Sequence, residues 1–300
     1  MSRAVVLSED IRPIFASAAK DPPATDGIVR FMRRSGDFLL ATALLVFTAA
    51  VATLIWTGHT GLRYSADSDD TLPMWMLGLT VFGGLAAAWL VPPKHREDEP
   101  PQGDSRTARQ AWWLFALALA FTIGFALSPG GNGWFLGLKL PLLLAVPLIF
   151  RLASWHEWYR VDTEGRWLRP LPAVLTFLAL FTLFGHDYTG SRPDVIAVVG
   201  VFVLNAMLEE IFYRVWLQTR LEAGVGRWPA ILVTALVFAS WHAVIHGGNG
   251  FGVDLAAAFV HIGGYGVFLG YLWSRYRNPW LLFLVHGIIN LPLPMLAAMF

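Results

Sequence analysis

The sequence predicts an all-α, polytopic integral membrane protein, and three observations carry that reading. The chain of 300 residues is 56% hydrophobic and only 14% charged, with a mean hydropathy of +0.53. Soluble domains carry about 25% charged residues, and a soluble fold has no way to hide this much apolar surface. The apolar residues fall in runs of the length that crosses a hydrocarbon core, about 20 residues as a helix. The Lys and Arg residues between those runs alternate between rich and poor loops, the signature of a chain that threads back and forth through a bilayer.

Taken in order, the runs begin near Phe38, Leu72, Ala111, Trp134, Pro170, Pro193, Trp228, Leu255 and Pro279, giving eight or nine transmembrane helices by length alone. The two least regular start near Trp134 and Pro170. Each is short, and Pro141 and Pro147 interrupt the former, so either reads as a crossing, a re-entrant segment or an interfacial one. The N-terminal tail holds Arg3, Arg12, Lys20, Arg30, Arg33 and Arg34, whereas the first loop holds only Arg63. The alternation then continues through Lys94, Arg96, Arg106 and Arg109, through Arg151, Arg160, Arg166 and Arg169, through Arg214, Arg220 and Arg227, and through Arg275 and Arg277. It predicts nine spans, a cytoplasmic N-terminus and an external C-terminus. Trp56, Trp75, Trp112, Trp113, Trp134, Trp228, Trp273 and Trp280 lie near span ends and read as interfacial anchors.

Other classes drop out. A net charge of +1 gives no bulk attraction to nucleic acid. The absence of cysteine removes disulfides, thiolate catalysis, Cys-ligated zinc and palmitoylation together. The first apolar run lacks a small-residue cleavage site and reads as a retained helix. A transporter would call for inverted repeats or paired broken helices, and neither is visible. The segment Pro92 to Arg109 reads as a charged cytoplasmic loop.

The chemistry concentrates at one end. Ionisable side chains inside a bilayer cost about 2.5–3.5 kcal/mol each on insertion scales and mark functional sites. Here they are Glu209, Glu210 and Arg214 in the sixth span, His242 and His246 in the seventh, His261 in the eighth, and His286 followed by Asn290 in the ninth. Lys139 in the fourth span is the exception to otherwise clean first spans. Glu210 and Arg214 stand one helical turn apart and can pair, as can the faces of Phe238 with His242 and His286 with Asn290. Glu209 is rotated by about 100° from Glu210 and has no evident second cation. One carboxylate is therefore expected to be charge-paired and the other free to hold a water. His246 and His261 read as structural, and Gly263, Gly264, Gly266 and Gly270 read as close helix packing.

These residues resemble a known family. Glu209-Glu210-Ile211-Phe212-Tyr213-Arg214 (EExxxR), Phe238-Ala239-Ser240-Trp241-His242 (FxxxH) and His286-Gly287-Ile288-Ile289-Asn290 (HxxxN) are similar to the three motifs of the CAAX protease and bacteriocin-processing family, which includes the type II CAAX prenyl endopeptidases. The resemblance covers roughly Pro193 to Ala297 and divides the chain into a cytoplasmic tail (1–36), N-terminal membrane helices of unassigned role (37–192) and a catalytic membrane core (193–300). It implies an intramembrane endopeptidase of the bacterial inner membrane that cleaves a membrane-associated peptide or protein tail. By the same resemblance Glu209 activates a water with help from His242, and His286 and Asn290 stabilise the oxyanion. Glu210, Arg214 and Phe238 support the site. No cofactor is expected; zinc is the second possibility, since these donors could ligate it, although no HExxH is present. The rival function is a non-catalytic membrane protein conferring immunity by binding. One expectation is in tension with the rest: straight spans place Glu209 toward the cytoplasmic side and His242 toward the outside, a mismatch of up to roughly 10 Å, unless the sixth helix continues past Arg214 toward Gln218.

Overall fold

The architecture follows from where the apolar runs end. In the computed structural model, residues 23–63, 70–92, 104–161, 163, 167–185, 192–245 and 247–300 are described, with side chains from 35 onward. Helix α1 spans Pro23–Thr57, so it begins inside the segment read as a tail; residues 1–22, residues 93–103 of the loop and His246 lie outside the described residues. A short antiparallel hairpin follows, β1 (Gly61–Arg63) with β2 (Thr71–Pro73), in the register Leu62↔Leu72. This hairpin is an addition to the all-α expectation, held by the one buried leucine on each strand. Next come α2 (Met74–Leu90), α3 (Ser105–Leu127), α4 (Asn132–Ile149), the short α5 (His156–Tyr159) and α6 (Leu171–Phe184). The chain ends with α7 (Val195–Val225), α8 (Arg227–Ile245), α9 (Phe251–Tyr276), α10 (Pro279–Asn290) and the single turn α11 (Leu293–Ala297).

Among the described residues, six helices (α1, α3, α4, α7, α8 and α9) are long and apolar enough to cross a membrane, and α2, α6 and α10 are shorter apolar helices. All nine stand where the sequence places its spans. The large apolar side chains left uncovered, such as Phe38, Phe82, Trp89, Leu127, Ile149 and Ile196, would form an aggregation surface in water but are ordinary against lipid. Burial ranks the helices. Two thirds of the apolar window of α8 and of α9 is buried, against 17% for α1 and α4. The bundle is thus built around the C-terminal helices, with α1 and α4 at its periphery.

Two readings change. Helix α4 is continuous despite its prolines. Pro141 has no N–H and its ring crowds the preceding turn, and the helix absorbs this by opening into a wider π-type turn over Pro141–Ala145, where the Val146 N–H reaches back five residues to the Pro141 carbonyl. Trp273, expected as an interfacial anchor, is buried instead. Its Nε1 donates to Thr219 Oγ1 at 2.9 Å, and the Arg277 guanidinium lies 5.2 Å from its ring. The other seven tryptophans expected as anchors are exposed. Local signals account for the starts of α3 and α7: Asp104 and Asp194 accept hydrogen bonds from backbone N–H groups of the first turn. The Thr107 N–H is the chief reason the Asp104 carboxyl is held below its usual range.

Close packing around α9 rests on small residues. A Cβ at Gly84 of α2 would lie 2.6 Å from the ring of Phe268, which stacks on Phe177 of α6 at 4.2 Å. A Cβ at Gly270 would lie 2.8 Å from Gln218, those at Gly263 and Gly266 a milder 3.1 and 3.2 Å from Phe47 and Ala235, and Gly264 has ordinary room. Gly84→Leu is expected to lower stability by about 1–3 kcal/mol through overpacking, read as a lower thermal unfolding temperature in detergent. Gly137→Ala, on an exposed part of α4 with open space around it, is expected to leave that temperature unchanged or slightly raised.

Candidate active site

Helix α7 carries two adjacent glutamates at the middle of its 31 residues. The backbone is wider than an α-helix on both sides of them, over Phe202–Met207 and Ile211–Gln218, and such widened turns gather at functional positions. Both glutamates and Arg214 are buried. Arg214 Nη1 lies 3.2 Å from Glu210 Oε1, the one-turn pair the sequence predicts. The geometry is that of an ion pair rather than a directed hydrogen bond, since Nη1 makes no hydrogen bond. Nη2 donates to the Gly266 carbonyl of α9 at 3.4 Å, and the guanidinium stacks 4.5 Å from the Phe238 ring.

Glu209 is not free, which corrects the expectation of one unpaired carboxylate. Its Oε1 is paired with Lys139 Nζ of α4. Lys139 is fully buried, also donates to Asn205 Oδ1 at 2.8 Å, and lies 4.5 Å from the Phe135 ring and 5.7 Å from that of Trp241. The second cation was hidden because it comes from 70 residues upstream, in a helix whose prolines make it the least regular of the set. Its signal was present all the same: a lone lysine in an otherwise apolar span.

Helix α10 brings His286 between the two carboxylates. Nδ1 is 2.7 Å from Glu210 Oε1, and Nε2 is 3.7 Å from Glu209 Oε2. An ionised carboxylate can only accept, so Nδ1 carries the proton. Gly287 makes the approach possible, because a Cβ there would sit 2.7 Å from the Phe202 ring of α7. Asn290, half-buried, is the last residue of α10, one turn beyond His286.

His242 lies at the end of α8, next to a turn at Trp241. Its Nδ1 is 3.0 Å from the Phe238 carbonyl. That carbonyl must accept, which leaves Nε2 as the acceptor nitrogen of the neutral ring. The Trp241 indole stacks on the imidazole at 3.6 Å. Phe238 is the shared wall, 4.9 Å from the His242 ring, 5.8 Å from that of His286 and 5.2 Å from that of Tyr213.

The depth mismatch disappears because α7 runs on past Arg214 to Val225, where Gly226 (φ +89°) reverses the chain into α8. In this antiparallel pair Tyr213 faces Phe238. Glu209 is one turn before Tyr213 and His242 one turn after Phe238, and both steps lead in the same direction. The two are therefore level. A polar stripe continues from the site along α7 through Arg214, Gln218 and Glu222. Gln218 Nε2 donates to the Gly270 carbonyl at 2.8 Å, and Glu222 pairs with Arg277. His261 belongs elsewhere. It lines a cavity of about 270 Å³ with His59 and Asp254, between the end of α1 and the start of α9.

Residues 191–292 match the family described as type II CAAX prenyl endopeptidase Rce1-like. The matched span contains all three motifs and ends before α11; Lys139, Phe135 and the rest of α4 lie outside it. No curated protein and no solved structure matches the chain.

Removing one partner of a buried ion pair leaves an uncompensated charge, a loss of about 3–5 kcal/mol. Arg214→Met is therefore expected to destabilise the folded protein strongly. Glu210→Gln added to Arg214→Met is expected to recover part of that loss, which thermal unfolding of the four proteins of the cycle would show.

Proposed function

We propose that this chain is an intramembrane endopeptidase in which Glu209 activates a water for attack on a peptide bond, the premise being that residues 191–292 are a type II CAAX prenyl endopeptidase-like segment. The observation that carries the reading is the convergence of Glu209, Glu210, His242 and His286 from three helices onto one buried, aromatic-walled place at mid-helix depth. Isolated membrane histidines serving only as helix ties have no reason to share one wall and one pair of carboxylates.

In the proposed reaction a water's proton passes to Glu209 as its oxygen bonds to the scissile carbonyl carbon, with His242 Nε2 accepting the water's second hydrogen bond. The oxyanion that forms takes a donor from the Asn290 amide; His286, expected to share that role, already gives its Nδ1–H to Glu210 and would donate from Nε2 only as an imidazolium. Collapse of the tetrahedral species breaks the C–N bond, and the proton held by Glu209 goes to the leaving amine. Glu210 and Arg214 hold the geometry, with Phe238 keeping the site dry. The substrate is a membrane-associated peptide or protein tail, prenylated only where the host makes such tails, and the location is a bacterial inner membrane. The step invokes no cofactor.

A second reading is favoured by the Lys139–Glu209 pair: a carboxylate already held by a buried cation also suits a non-catalytic membrane protein that acts by binding. Cleavage of a candidate precursor by the purified protein in liposomes separates the two. Glu209→Gln is expected to lower the rate by roughly 10²–10⁴-fold and, because it leaves buried Lys139 without its counter-charge, to cost stability too, so it is assayed below its own unfolding temperature; a strong zinc chelator is expected to change nothing. Loss of activity with chelator would move the mechanism to a metalloprotease. Host function that survives Glu209→Gln would favour the binding reading. We further propose nine crossings with a cytoplasmic N-terminus. Reporter fusions at the two termini should then report opposite sides of the membrane, and the same side at both ends would require one helix not to cross.

A further inference from the structure

We infer that Lys139, contributed by a helix outside the family-matched segment, is the counter-ion and positioning residue of Glu209, holding it as a carboxylate and aiming its second oxygen at the site; the inference rests on the reading of Glu209 as the base. Three observations carry it. Lys139 is the largest charged side chain buried outside the motif helices, and none of it is exposed. Its ammonium is fully spoken for by Glu209 Oε1, Asn205 Oδ1 and the rings of Phe135 and Trp241, an arrangement that fixes its position. The pair uses Oε1 alone, so Oε2 is left on the His286 side, 3.7 Å from Nε2.

Charge balance gives the same answer. The groups around Glu209 are Lys139 from α4, His286 from α10, Glu210, Tyr213 and Arg214 from α7 itself, and His242 from α8 across the Phe238 ring. Two carboxylates face two basic side chains, Lys139 and Arg214, and Arg214 is engaged by Glu210. Without Lys139 the cluster has one negative charge too many for an apolar bundle, and the simplest relief is a proton on Glu209. A protonated Glu209 is no base. The matched segment therefore holds the reacting groups, while α4 supplies the charge that keeps one of them usable.

The test uses full-length protein in liposomes and four variants, Lys139→Met, Lys139→Arg, Glu209→Gln and Lys139→Met with Glu209→Gln. Infrared spectra at neutral pH are expected to show a protonated-carboxyl band in Lys139→Met that is absent from wild type and from the double variant. Cleavage by Lys139→Met is expected to fall at least tenfold in kcat at neutral pH with KM little changed, and to recover as pH rises, the acidic limb of its profile displaced upward. Lys139→Arg should retain most of the wild-type profile. Thermal unfolding guards against simple misfolding: Lys139→Met should lose stability that Glu209→Gln restores. An unchanged infrared spectrum, or additive stability losses in the two single variants, overturns the inference. The spectra and the unfolding cycle need no turnover, so they decide the role of Lys139 even if wild type cleaves nothing, an outcome that would sink the protease reading alone.

Discussion

Two adjacent carboxylates in the middle of one membrane helix set the terms for everything packed around them. Each ion taken out of water carries a desolvation penalty of several kcal/mol, which attraction between partners offsets only when the geometry is good and the remaining lone pairs are used. Neighbouring residues on a helix point about 100° apart, so one cation cannot serve both. The protein answers with two: Arg214 from the same helix for Glu210, and Lys139 from α4 for Glu209. His286 then joins the two carboxylates. This four-charge cluster with its imidazole bridge requires α4, α9 and α10 to close on α7 at one depth.

The rest of the bundle can be understood as what permits that closure. Gly266 and Gly270 let α9 come near enough for its carbonyls to accept from Arg214 and Gln218. Gly287 lets α10 reach the Phe202 ring. The widened turns flanking Glu209 and Glu210 change the angular spacing along α7, and the widened turn in α4 lets that helix carry Lys139 inward while continuing beyond Pro141. The aromatic residues Phe135, Phe238 and Trp241 close over the cluster, and the low dielectric they create strengthens each charge interaction inside.

Much of this was legible in the chain. The nine apolar runs became nine apolar helices at the expected places, and the Glu210–Arg214 pair and the shared faces of Phe238 and His242 followed from one-turn spacing. Departures arose where a local rule met a long-range partner. Trp273 looked like an anchor because it stands near a span end, yet Thr219 of α7 satisfies its N–H and buries it. Glu209 looked unpaired because no cation lies within reach along its own helix. The apparent depth conflict between Glu209 and His242 came from ending α7 too early; its charged residues past Arg214 are buried, and the helix runs on to Gly226.

The sequence by itself determined the class, the order of helices and the three motifs. Those properties are written in hydropathy and in short periodic spacings, which act over a few residues. Only the tertiary structure decided which cation faces Glu209, how His286 is shared between the carboxylates, and that α4 completes a site otherwise confined to the last third of the chain. A helix determines the direction in which each of its own side chains points. What stands opposite is decided by packing, and in this bundle it is a lysine 70 residues away.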